Sequence, residues 1–273
     1  MTKGRRRVLP CMLSCVIGLG CHAESVRPSP PPELASSQTP NRRGALSTAA
    51  HDLAGAPRRM WEDGKLVFGN RRNLAYLLGA TAYNLVQESE FQDQEGAFFQ
   101  NHTFYGRDLS DGLSALGNGL TLYLGALTWY FIAYGAEYER SYEASKTVLS
   151  AMAVTAVTTT FLKGVVPDSR PNGSKHNFPS GHASQAMAVA ASLDELYGHW
   201  VGVPACLLAG AVGLQRLDTQ KHDSGSVLFG MVLGYLAGKT VASHHAPRIF
   251  GMELGVTVDP EQGAPALSLS RSF

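Results

Sequence analysis

Three short stretches gather the cationic and imidazole side chains that could handle an oxyanion. They are Lys163-Gly-Val-Val-Pro-Asp-Ser-Arg170-Pro171, Phe178-Pro179-Ser180-Gly181-His182, and Gln215-Arg216-Leu-Asp-Thr-Gln-Lys221-His222-Asp223-Ser224-Gly225-Ser226. Each sits at a helix border. Pro167 must end the apolar helix before it, because proline cannot continue the hydrogen-bond ladder. Lys163 and Arg170 are thereby delivered to one loop, although cations after a helix commonly just face water near the negative end of the dipole. Ser180 occupies the N-cap place of the next helix, with Gly181 and His182 in its first turn. A helix N-terminus offers free N–H groups and a positive dipole end, which favour an anion, and glycine lets backbone approach closely. In the third stretch an Arg and a His again meet at a helix start. Any one of these has an ordinary explanation; the ordered set points to a tetrahedral oxyanion held by several donors.

The order Lys-x6-Arg-Pro, Pro-Ser-Gly-His, Arg-x5-His resembles the signature of the type-2 phosphatidic acid phosphatase and vanadium haloperoxidase superfamily. The resemblance implies that Lys163, Arg170 and Arg216 bind phosphate oxygens, with Ser180 and the N–H of Gly181 as neutral donors. It implies His222 as nucleophile and His182 as general acid. The chemistry suits these types. Arg matches phosphate with paired donors and Lys adds a point charge. Donors fixed around the equatorial oxygens stabilise the transition state. Neutral imidazole attacks near pH 7, giving a phosphohistidine. The cations perform a metal's task, so neither metal nor cofactor is expected; vanadate would fit the same cradle as a phosphate mimic.

One position departs from the family pattern. An Asp usually stands four residues after the nucleophilic His, where it accepts the other ring N–H; here that residue is Ser226. The Ser226 hydroxyl can still accept that bond. Asp223 is the other candidate, but on a helix it points about 100° from the needed face. It reads more simply as an N-cap. Gln215 replaces the usual Ser before Arg216. Lys175 and His176 lie in the loop between Pro171 and Pro179 and read as solvated. His244 and His245 end a helix and receive no role.

The elements that must position these groups are helical. Apolar patterning marks helices over 46–56, 71–88, 113–135, 141–163, 182–197, 199–214 and 224–241, separated by Gly, Pro and polar clusters. The expected fold is all-α, a bundle of about six to seven helices over 46–245. Residues 246–273 alternate apolar and polar positions around Asp259-Pro260 and read as a short β-hairpin appendage. Gly230, Gly234 and Gly238 recur every fourth residue, a pattern of close helix packing. Residues 113–136 carry no charge and are long enough to span a bilayer, but buried core helices give the same signal. The sequence favours a soluble or peripheral bundle, with membrane spans as the alternative.

The N-terminus reads as an export signal over 1–23: a basic start, a short apolar stretch, and small residues before Cys21, which resembles a lipidation site. A Pro-rich tether over 24–45 follows, too polar to fold. Cys206 is then the one cysteine left in the expected mature domain and reads as a small core residue. These features place the chain in a bacterial cell envelope, as a periplasmic or lipid-anchored protein, or in the inner membrane. A net charge of +1 and the lack of basic, aromatic-rich runs argue against a nucleic-acid partner. The substrate classes expected are phosphomonoesters and lipid phosphates or pyrophosphates. The alternatives are a non-catalytic binder of phosphate or lipid head groups, motivated by Ser226, and a vanadate-dependent haloperoxidase.

Overall fold

The computed structural model describes residues 44–246 and, beyond them, the backbone of three strands. The expected signal, the lipidation at Cys21 and the Pro-rich tether as far as residue 43 lie outside the described residues. Among the described residues there are nine helices: α1 Ala45–Gly69, α2 Arg71–Glu90, α3 Gln92–Asn101, α4 Arg107–Gly117, α5 Gly119–Gly135, α6 Glu139–Val165, α7 Gly181–Tyr197, α8 His199–Asp218 and α9 Ser224–His245. The all-α expectation holds, with more helices than the sequence pattern separated.

The differences have local causes. α1 runs through Pro57 to Gly69 instead of stopping near residue 56. Its second half buries Val67 against Ala151, Val154, Ala237 and Val241, and tertiary packing outweighs one lost backbone bond. The apolar run 113–135 is split at Asn118, whose side chain caps α5 by accepting from the N–H of Leu120 at 2.9 Å. The segment 89–112 contains a helix, α3, with Asp93 and Glu95 in its first turn, where carboxylates suit the dipole.

The centre of the bundle is α7 lying along α9, with α8 and α6 packed against α7. The glycine stripe makes this possible. A Cβ on Gly230 would stand 2.6 Å from the Ser180 carbonyl oxygen, and Gly234 and Gly238 face the carbonyls of Ser184 and Ala188 in the same way. Residue numbers rise together along both helices, so α7 and α9 run parallel. The one-residue junction at Gly198 returns α8 antiparallel to them. Thr159 and Met152 of α6 meet Ser184 and Gln185, so α6 also runs against α7. This topology brings the C-termini of α6 and α8 and the N-termini of α7 and α9 to one end of the bundle.

Among the described residues three helices, α6, α8 and α9, are long and apolar enough to cross a membrane. α9 is mostly buried, whereas α6 and α8 turn large apolar side chains outward, among them Phe161, Trp200 and Leu207. On α5, Leu120, Leu124 and Phe131 are exposed as well. These faces fit association with a membrane. Past the helices, strands Arg248–Ile249, Met252–Val258 and Pro265–Ser270 form an antiparallel sheet in chain order. Leu254 stands opposite Leu269, in the hairpin pairing expected of the tail.

Candidate active site

After α6, the chain makes a tight return that sets Arg170 and delivers residue 177. The N–H of Arg170 donates to the Ser174 carbonyl at 2.7 Å and that of Gly173 to the Arg170 carbonyl at 2.8 Å. Gly173 adopts φ 81, a conformation that glycine takes without steric cost. The N–H of His176 donates to the Asp168 carbonyl at 2.9 Å. Lys163 and His176 clasp each other: Lys163 Nζ donates to the His176 carbonyl at 2.7 Å, and His176 Nδ1 donates to the Lys163 carbonyl at 3.1 Å. His176 therefore fixes the loop, and Lys175 is exposed.

The three stretches converge. The buried His222 ring feels Lys163, Arg170 and Arg216, and the His182 ring feels Arg216, Lys221, Arg170 and Lys163. Burial first, and then these cations, lower His182 to about 4 and hold His222 well below the usual imidazole range. Every cation expected to bind phosphate thus acts on both rings. Lys221, to which the sequence assigns no role, joins them at His182. Two donors in these stretches lack an acceptor. Ser180 Oγ and Arg170 Nε are buried and have no hydrogen-bond partner among the described residues. Ser180 is the N-cap residue of α7, yet its hydroxyl makes no capping bond. Gly181 begins the helix, where first-turn N–H groups lack helical acceptors.

Arg216 is held from two sides. Its Nε donates to Gln215 Oε1 at 2.7 Å and one terminal nitrogen donates to Ser114 Oγ at 2.6 Å. Gln215 is anchored in turn, Nε2 donating to Ser110 Oγ at 2.8 Å. The Gln at 215 therefore orients the guanidinium. α4 comes close enough to contribute because Gly117 has no side chain; a Cβ there would stand 2.3 Å from Val212 Cγ1 and 3.3 Å from His182 Cβ. Asp218 completes this wall by accepting from the N–H of Phe104 at 2.8 Å.

Asp223 caps α9, its Oδ1 accepting from the N–H of Ser226 at 2.8 Å, and makes no bond to the His222 ring. The Ser226 hydroxyl lies 3.4 Å from His222 Nδ1. Nearer to that nitrogen, at 3.2 Å, is Asn177 Oδ1. Asn177 is fully buried and its Nδ2 donates to Asp168 at 2.9 Å and to Asp223 at 2.5 Å. Burial, and then the neighbouring Asp223, raise Asp168. Sequence reasoning missed Asn177. Its partners His222 and Asp223 lie 45 and 46 residues away, and nothing in the local pattern distinguishes it from a loop residue.

No family model matches the chain, and no curated protein matches it. Among solved structures, the chain is similar to the first transmembrane PAP2-type phosphatidylglycerolphosphate phosphatase from Bacillus subtilis. The TM-score is 0.52 at 21% identity, over 63% of this chain and 94% of that one. At that distance the likeness speaks for the fold, and the fold matches the superfamily resemblance of the three motifs.

Proposed function

We propose that this chain is a membrane-associated phosphoric ester hydrolase acting on lipid phosphates or pyrophosphates through a phosphohistidine at His222. The observation that carries the reading is the convergence of Lys163, Arg170 and Arg216 on both His182 and His222, with Ser180 Oγ and Arg170 Nε unpartnered among them. Buried donors without acceptors are costly, at about 1–3 kcal/mol each, unless a ligand supplies the acceptor. Cations crowded around neutral donors make a cradle for a phosphoryl group.

In this reading the His222 Nε2 lone pair attacks phosphorus while the ester P–O bond breaks. His182 in its protonated form passes a proton to the departing alkoxide. The negative charge of bound substrate raises His182 from about 4 and so restores the acid form. Neutral His182 then takes a proton from water as that water attacks phosphorus. The P–N bond breaks and its electron pair returns to His222. Lys163, Arg170 and Arg216 neutralise the phosphoryl oxygens throughout, so the reaction as drawn requires no metal, and vanadate would occupy the same cradle. The site lies at one end of the apolar helices, a position that suits a substrate with a charged head group and an apolar chain.

Release of phosphate from a lysophosphatidic acid, an isoprenyl pyrophosphate and a soluble chromogenic ester by detergent-extracted protein tests the proposal. Turnover is expected for at least one lipid substrate. Rates no higher than those of His222→Ala on all three would leave the non-catalytic binder as the better reading. Bromide oxidation with added vanadate tests the haloperoxidase reading.

A further inference from the structure

We infer that Asn177 is the positioning residue for His222, taking the place of the carboxylate that is absent at position 226. The inference rests on His222 being the nucleophile. An amide can do this only if its oxygen faces the ring, and here the surroundings decide that. Its nitrogen meets two carboxylates, Asp168 at 2.9 Å and Asp223 at 2.5 Å, which can only accept. The reverse orientation would set the amide oxygen against two anions. The oxygen is therefore turned to His222 Nδ1 at 3.2 Å and to the Ser226 hydroxyl, which donates to it at 3.1 Å.

A ring facing this acceptor carries its proton on Nδ1 and leaves the Nε2 lone pair free for phosphorus. In a Ser-His-Asp triad, exchanging the carboxylate for an amide costs about 10⁴-fold because the imidazole adopts the wrong tautomer. The two carboxylates behind Asn177 prevent that outcome here. They also place negative charge one side chain away from a ring surrounded by Lys163, Arg170 and Arg216. The loop is built to hold this arrangement: Asn177 also donates its N–H to the Asp168 carbonyl at 3.4 Å, and Ser226, which shares its oxygen, is fully buried.

The test uses the full chain in detergent micelles, with phosphate release and ¹⁵N-histidine NMR. The His222 signals are identified by their loss in His222→Ala. Wild type is expected to show a single His222 tautomer protonated on Nδ1. Asn177→Ala is expected to show both tautomers and a kcat lower by about 10²-fold, the scale of a roughly 1 Å misplacement, with KM little changed. Asp168→Ala frees the amide from one carboxylate and is expected to move tautomer and kcat the same way by a smaller factor. An unchanged His222 tautomer in Asn177→Ala overturns the inference. Should that variant not fold, an unchanged tautomer and kcat in Asp168→Ala overturn it. Wild type no more active than His222→Ala defeats the hydrolase reading instead, and the NMR arm still decides the role of Asn177.

Discussion

A single methyl group on α9 should disable the site by displacing the helix start that carries Ser180. A Cβ placed on Gly230 would stand 2.6 Å from the Ser180 carbonyl oxygen, with the backbone nitrogen and carbonyl carbon of Ser180 at 3.5 Å. Ordinary contact begins near 3.4 Å, so α7 or α9 must move by about 0.8 Å. The obstacle is backbone at a helix start and cannot rotate away. Ser180, whose buried hydroxyl has no partner among the described residues, stands two residues before His182. A shift of about 1 Å at a reacting centre costs on the order of 10²-fold in rate. Overpacking costs about 1–3 kcal/mol of stability. Gly230→Ala is therefore expected to lower kcat about 10²-fold while the protein still melts cooperatively, a few degrees lower. Gly238→Ala is the control. Its Cβ would meet the Ala188 carbonyl, about 12 Å further along α9 at 1.5 Å per residue. It should destabilise by a similar amount and leave kcat close to wild type. Phosphate release and thermal melts on the three proteins decide it. Gly230→Ala with wild-type kcat, or Gly238→Ala with an equal loss, would refute the reasoning that the glycine stripe sets the register of the cradle.

Three more expectations follow from charge and burial. His182 sits at about 4 in the fold against an ordinary 6.5, so the unfolded chain takes the proton first as the pH falls. Stability should therefore decline between about pH 6.5 and pH 4, be unaffected by this group above that window, and level off below it. His222 acts in the same direction. Sulfate, a dianion that does not titrate there, should bind with proton uptake at pH 5–6 as it raises His182, measured by calorimetry in buffers of different ionisation heat. Binding without proton exchange would show that the anion does not lie beside the ring. At the far end of α9, Asp63 is 1% exposed and accepts from His245 Nε2 at 2.9 Å and Ser150 Oγ at 2.5 Å. Asp63→Ala leaves both donors without this acceptor and is expected to cost about 1–3 kcal/mol in thermal melts with kcat unchanged. A melting point equal to wild type would contradict that.

The legible part of this protein is the part encoded over short distances. Pro-Ser-Gly-His before an apolar run specifies both a helix start and the donors exposed there. The same short-range logic places Lys163 and Arg216 at helix exits and Asp223 as the cap of α9. The glycine repeat at 230, 234 and 238 foretold close packing because its period is that of one helix face. His245 was legible as a helix-ending cation but not as the partner of Asp63, which is 182 residues away. The split at Asn118 was hidden because an apolar run does not say where a neighbour needs room. Gly117 must end α4 beside His182, and only the packing shows it.

Asn177 is the sharpest case of what a motif leaves out. Read alone, Ser226 is a defect, because the place where a carboxylate usually receives the ring proton holds a hydroxyl. The fold supplies the acceptor from another stretch of chain, and it supplies an amide whose orientation depends on two further residues, Asp168 and Asp223. An aspartate at 177 would crowd three carboxylates together, whereas an amide satisfies both acidic neighbours and still presents an oxygen to His222. The same Asp223 therefore does two things: one oxygen caps α9, fixing where the helix starts just after His222, and the other turns Asn177 toward the ring. A substitution that looks disabling along the chain is answered in space by a neutral group made directional through its charged neighbours.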